Sequence, residues 1–440
     1  MASFEQEKLL RDIDELLAAS LEGWQPLYAL LTERSSHLDA STTLDILRNE
    51  LHQRNLIQQQ FLQDVPSSTL LYGPHADTAQ HVLLLYNRFS LPIPSLWELI
   101  PIFTQIIALD IYHKICTDYP SITYKWLLQG IEENSDSTLC LEDSIKKYGA
   151  DLCADGCLCD DTRALQETGL AGEHMPLLAL GSKGLLRVQL SVQTALHPLP
   201  AQYGSIVPDS AWRLLWALNS LKNAQEEILI EGFYDTLKTP DDDVIALLHT
   251  LPDSSQHLGH LLSLDHLLYE LQGFQLHYAH YLIPTCTINS LASQGETTAQ
   301  LYPRIPAIST AELDFHLLPD QNPQDIFFLL RRHLDTQGFS DVQTSMLYAC
   351  PSYYTPLADP FVQAVLQTTS RACGGKPYVL PFTPESHTLH QLHHTLQIPV
   401  VITAMNTYDI TPLTWQNENL KRAIITTIKQ IILVLTTMAR

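Results

Sequence analysis

The sequence predicts a two-domain chain, in which an α/β domain built on a parallel sheet is interrupted by an α+β insert. Three observations predict it. A strand, a helix and a second strand follow one another over residues 82–128, which is a βαβ unit and therefore a parallel pair. Period-two alternation marks two later stretches, LRVQLSVQT ending at Thr194 and LDFHL from Leu313, the texture of a sheet with one exposed face. After residue 350 the α/β texture returns, and 440 residues exceed the usual size of a single domain.

The opening stretch, MASFEQEKLLRDIDELLAAS, reads as an amphipathic helix with Leu9, Leu10, Ile13, Leu16 and Leu17 on one face. Residues 1–62 as a whole read as helical. The start lacks the basic and apolar regions of a signal peptide, so a cytoplasmic location is expected. Residues 82–86 form a strand, 103–117 a helix and 123–128 a second strand. The insert, residues 184–350, holds the two alternating strands with helices over 210–222 and 325–336. A helix over 360–372, a strand over 399–404 and a helix over 418–435 complete the first domain, which is thus discontinuous: 1–183 plus 351–440. The apolar run 424–438 is interrupted by Lys429 and Gln430 and falls short of the ~20 residues of a membrane span. It reads as a helix packed on the sheet. No internal repeat is found.

Composition excludes some partners. With 25 basic against 48 acidic residues and a formal charge of −23, the chain offers no broad cationic surface for nucleic acid or anionic lipid. Eight cysteines without a secretory segment suggest reduced thiols rather than a disulfide framework.

Chemistry concentrates in a few strings. In LLQGIEENSDSTL a strand runs out through Gly130 into Glu132 and Glu133. Paired carboxylates at the carboxyl end of a strand suit a metal hydrolase, where one binds the metal and the other takes a proton from metal-bound water. An ordinary acidic loop is the alternative. His75-Ala76-Asp77 reads as a loop or as a ligand pair. Cys153, Cys157 and Cys159 read as structural thiols or soft-metal ligands, two of them on a strand. His387, His390, His393 and His394 read as one face of a surface helix with adventitious metal affinity.

Several ordered strings carry a resemblance. They are Leu83-Leu84-Leu85-Tyr86-Asn87, Leu96-Trp97, Gln129-Gly130-Ile131-Glu132-Glu133-Asn134-Ser135, Ala154-Asp155 and Gly181-Ser182-Lys183-Gly184. Within the insert they are Ala211-Trp212-Arg213-Leu214, Ile230-Glu231-Gly232-Phe233-Tyr234-Asp235 and Asp314-Phe315-His316-Leu317-Leu318-Pro319-Asp320-Gln321. Over most of its length the chain resembles the zinc-dependent aminoacylase, carnosine dipeptidase and succinyl-diaminopimelate desuccinylase superfamily. The resemblance implies a phosphorylase/hydrolase-like catalytic domain with an inserted ferredoxin-like dimerisation domain, and hence a homodimer.

Carried over by position, the resemblance implies Glu132 as general base, Glu133 and Asp155 as zinc ligands, and His197 as the lid histidine that steadies a tetrahedral intermediate across the dimer. Asn289 and His316 fall on substrate-binding positions, His316 standing where the lid arginine would grip a carboxylate. Other positions depart from the pattern. Arg88 replaces the first zinc histidine, Ser90 the aspartate that orients it, and Thr414 the histidine of the C-terminal ligand motif. No counterpart of the segment carrying the bridging aspartate follows Trp97.

Losing two imidazoles and a shared carboxylate dismantles both sites, since zinc needs three or four donors. A guanidinium stays protonated at physiological pH. Arg88 is accordingly expected either to neutralise Glu133 and Asp155 in place of a metal or to point to solvent. The expected function is a non-hydrolytic pseudoenzyme acting in binding or as a partner subunit, without cofactor, with a peptide or amino-acid-derived ligand. The alternative is an amino-acid amidohydrolase with zinc held by Glu133, Asp155 and a replacement donor such as His75, Cys159 or His316.

Overall fold

The computed structural model describes residues 2–33, 49–54, 56, 59–61, 68–72, 81–91, 95–115, 122–132, 137–161, 170, 175–293, 303–386, 388–405 and 413–439. In chain order the first strands are β1 (Gln59–Phe61), β2 (Ser68–Tyr72), β3 (Val82–Leu91), β4 (Thr123–Glu132), β5 (Gly156–Asp160) and β6 (Leu177–Ala179). The insert contributes β7 (Gly181–Gln193), β8 (Leu199–Pro200), β9 (Thr285–Ser293), β10 (Arg304–Ile305), β11 (Ile308–Leu317) and β12 (Gln343–Cys350). After it come β13 (Tyr353–Tyr354), β14 (Tyr378–Leu380), β15 (Thr383–Ser386) and β16 (Val400–Ala404).

An eight-stranded sheet in the order β1-β2-β4-β3-β5-β16-β6-β14 forms the α/β domain. Its centre is parallel, as the βαβ reading expects: β3 lies between β4 and β5, and β5 pairs with β16. The helix joining β3 to β4, Leu96–Ile115, starts earlier than its apolar pattern suggests. Glu98 Oε2 accepts the Ser95 backbone N–H at 2.7 Å, the reach-back half of a capping box. That helix and the C-terminal helix Glu418–Met438 pack in one apolar core with Leu83, Leu85 and Phe89 of β3, each buried aliphatic side chain contributing roughly 1.5–3 kcal/mol. On the other face Leu84, Tyr86, Leu127, Cys157 and Cys159 form a second core. Residues 1–62 are not wholly helical, because β1 lies among them and adds to the antiparallel edge through β2.

The insert is built on a sheet of order β12-β7-β11-β9, with helices Ser210–Asn219 and Pro323–Thr336 on one face. Four strands stand where the alternation predicts two. Both additional strands are edges, and β9 is exposed along nearly its whole length, so no buried face imposes an alternating pattern on it. Helices Asp242–Thr250, Ser255–Leu262 and Gly273–Leu282 lie between the insert's first helix and β9. Among the described residues no helix is long and apolar enough to cross a membrane.

Candidate functional site at the carboxyl edge of the sheet

In an open α/β sheet, ligands bind outside the carboxyl ends of the parallel strands. Here that edge is formed by Arg88 to Leu91 on β3, Gln129 to Glu132 on β4 and Asp160-Asp161 at the end of β5; the pairings Arg88 with Gln129, Leu91 with Glu132, and Tyr86 with Cys159 fix the alignment. Arg88 lies on the same face as Tyr86, one strand position pair further out. Its Nε donates to Asp161 Oδ2 at 2.7 Å, with 23% of the arginine and 5% of the aspartate side chain exposed. Burial, the largest single influence, opposes the charge of the guanidinium, but Asp161 together with Tyr86, Cys159 and Glu385 outweighs it and the pKa is raised.

Of the two partners expected for Arg88, Glu133 lies outside the described residues and Asp155 is corrected. Asp155 stands at the opposite, amino end of the strands. Its backbone N–H donates to Val82 O at 2.8 Å, its Oδ2 accepts the Val82 N–H at 2.7 Å, and His81 Nδ1 lies 3.5 Å away. Asp155 fastens the start of β3 to the start of β5, and the length of β3 separates it from Arg88. The acidic pair that sequence reasoning passed over is Asp160-Asp161, both buried. The rule that sites gather at carboxyl strand ends would have found it.

The neighbouring groups are already engaged. Ser90 Oγ donates to Glu98 Oε1 at 2.7 Å. Tyr86 Oη donates to Gln129 Oε1, and burial raises the phenol well above its ordinary pKa. Asn87, on the other face, accepts the Trp126 indole N–H at 2.7 Å and donates to Asp160 O at 3.4 Å. Glu132 ends β4 at this edge; its side chain, Glu133, His75, Asp77 and His387 lie outside the described residues.

Thr414 is exposed and not part of this edge cluster. Its carbonyl accepts the Asn417 N–H at 2.9 Å, in a turn where Asn417 caps the last helix and Trp415 stacks near Tyr28 and Phe103. His197 sits in the exposed bend after β7. Asn289 and His316 both lie on the insert sheet, on β9 and β11: Asn289 Nδ2 donates to Asp314 Oδ2, and Arg187 Nε and Nη2 donate to Asp314 Oδ1 and Oδ2 at 2.7 and 2.8 Å. His316 Nδ1 meets Thr285 Oγ1 at 3.3 Å, and burial, then the nearby Lys183, lowers its pKa.

The histidine helix is also corrected. His390, at the start of helix His390–Leu396, is buried with Nδ1 3.3 Å from Cys350 Sγ, and His394 Nε2 is 2.9 Å from Ser352 O. This helix seals the second core instead of presenting a metal-binding surface. Cys157 and Cys159 are buried on β5 while Cys153 is exposed, and desolvation pushes the Cys157 and Cys159 thiols up.

Among the described residues, the donors at the carboxyl edge do not fit a two-zinc centre. Asp161 is held by a guanidinium, which would repel a dication beside it, and no cluster of three His, Cys, Asp or Glu side chains among the described residues is placed to hold a metal ion.

No protein-family model and no curated protein matches the sequence. Solved structures do match. The chain is similar to an M20 family metallo-carboxypeptidase from Sulfolobus solfataricus, with a TM-score of 0.73 and 22% identity over 90% of this chain and 95% of that one. It is similar to the dipeptidase Dug1p from Saccharomyces cerevisiae, at 0.72 and 16% over 98% and 97%. Human carnosine dipeptidase 1 follows at 0.68 and 15%, over 98% of both chains. The chain thus has the fold of these metallopeptidases.

Proposed function

We propose that this metallopeptidase-fold chain is a non-hydrolytic relative of the dipeptidases, which binds a peptide or amino-acid-derived ligand or serves as a partner subunit. One observation carries the reading: Arg88 lies at the carboxyl edge, its guanidinium 2.7 Å from Asp161, in the position that the resemblance gives to a zinc-binding histidine. A fixed cation there supplies the charge that neutralises the carboxylate, but it has no vacant coordination position and cannot lower the pKa of a bound water as a metal does. Ser90, the position of the orienting aspartate, is bonded to Glu98 instead. What remains is a pre-formed edge with a cation suited to a carboxylate and, on the insert, the polar row Arg187, Asp314 and Asn289.

A homodimer through the insert belongs to the same proposal. Trp212, Leu215 and Trp216 are exposed on helix Ser210–Asn219, and Ile288 and Leu291 on the edge strand β9. The decisive experiment is elemental analysis of the purified chain together with alanyl-glycine hydrolysis in the presence of zinc or manganese. Substoichiometric metal and no hydrolysis above background are expected. Stoichiometric metal with turnover, both lost on Glu133→Ala, would overturn the reading in favour of an amidohydrolase with a rearranged centre.

A further inference from the structure

Away from the carboxyl edge, a cavity of about 680 Å³ opens beside β14. Its size falls in the roughly 300–1,000 Å³ span of small-molecule sites. Leu247, on helix Asp242–Thr250, lines it with Leu357, Leu366 and Val379. Val379 belongs to β14, the last strand of the eight-stranded sheet. Two cations are in the same lining: Arg371, in the last turn of helix Pro360–Cys373, and Lys376, just beyond the left-handed Gly374 (φ +70°) that ends the helix.

Neither cation meets a carboxylate among the described residues. In a chain with 48 acidic and 25 basic residues, two cations in the lining of one largely aliphatic cavity give that cavity a positive charge. Arg371 also complements the carboxyl end of its helix; Lys376, beyond the helix, has no such role. An aliphatic wall ending in an arginine fork and an ammonium is complementary to a molecule with a hydrocarbon body and one anionic end, and arginine binds a carboxylate in bidentate fashion.

From this we infer that the cavity between helices Asp242–Thr250 and Pro360–Cys373 is a binding site for a medium-chain aliphatic carboxylate. The hydrocarbon lies against Leu247, Leu357, Leu366 and Val379, and the carboxylate is held by Arg371 and Lys376.

Titration calorimetry of the full chain with decanoate tests it. Saturable binding at one site per chain is expected, weakened about tenfold or more in the double variant Arg371→Ser/Lys376→Ser, the loss of a charge-assisted contact. Both positions are exposed, so the variant should fold, and circular dichroism checks that it does. Decanol and acetate, which each supply half of the chemistry, should bind at least about tenfold more weakly. The inference is overturned by decanoate binding equally well to the double variant, by decanol matching decanoate, by decyl phosphate displacing decanoate as the tighter ligand, or by an absence of saturation.

Discussion

Arg88 and Asp161 close the carboxyl edge of β3 and β5 with an ion pair of 2.7 Å, and the aspartate is almost completely removed from water. Removing one member of such a pair leaves a charge without compensation, whereas replacing both with apolar groups is often close to neutral. Arg88→Met is therefore expected to destabilise the protein by about 2–4 kcal/mol, below the top of the range for buried pairs because the arginine keeps part of its exposure. The double variant Arg88→Met/Asp161→Leu should be more stable than Arg88→Met alone. Urea denaturation of the three proteins measures both; an unaltered midpoint for Arg88→Met would make the pair a surface contact.

Lys183 gives the stability a pH dependence of known sign. It is buried near the start of β7, and its Nζ donates to the carbonyls of His280 and Ile283 at 2.8 and 2.7 Å. Desolvation pushes its pKa down to about 7, against about 10.4 in an unfolded chain. Between those values the unfolded state holds a proton that the folded state does not, so stability rises with pH across the window, by up to about 1.4 kcal/mol per unit. A neutral amine still has a hydrogen for each carbonyl, so nothing is lost in the contact. Lys183→Met cannot show this gain. Its destabilisation relative to the parent chain is expected to be larger at pH 9 than at pH 7, measured by denaturant midpoints at both; a constant difference would mean that Lys183 titrates normally.

The parallel centre was legible because Leu83 to Leu85 and Trp126 to Leu128 are apolar strands flanking an apolar helix, and helix 418–438 because its apolar run is long. The placement of Arg88 toward the carboxyl end of β3 was legible from Leu-Leu-Leu-Tyr-Asn before it. Its partner was not. β5 reads GCLCD and is buried on both faces, so no alternation marks where it starts or stops, and the acidic residue at its entrance, Asp155, could not be told from the one at its exit, Asp161. Strands β9 and β12 escaped for the opposite reason, being edges with too little burial to pattern them.

The start of β7, Gly181-Ser182-Lys183-Gly184, makes a steric prediction. A Cβ on Gly181 would lie 2.1 Å from Tyr353 O, and one on Gly184 2.8 Å from Cys350 O. These are backbone atoms, held where β13 pairs with β7, and cannot swing aside. Gly181→Ala should cost about 2–3 kcal/mol, the upper part of the usual range for overpacking. Gly23, with open space around it, is the control: Gly23→Ala should be neutral or stabilising by up to about 1 kcal/mol. Thermal melts of the two variants compare them directly, and equal midpoints would refute the close approach.

The last prediction concerns assembly. Trp212 and Trp216 are 57% and 56% exposed, with ring centroids 6.1 Å apart, while Leu214 and Leu218 of the same helix are buried against the insert's own sheet. The sheet therefore covers one side of the helix and leaves a second apolar side, with Leu215 also exposed beside the indoles, to be covered by something else. Large contiguous apolar patches on a soluble surface mark association sites, and aromatic residues at the centre of an interface carry a disproportionate share of its energy. If a second copy of the chain covers this side, Trp212→Lys/Trp216→Lys places two cations in the interface while leaving the buried side of the helix untouched. Multi-angle light scattering at micromolar concentration is expected to give twice the chain mass for the parent protein and the single-chain mass for the variant, with circular dichroism unchanged. A parent chain that is monomeric under those conditions, or a variant that still dimerises, would remove the indole pair from the interface.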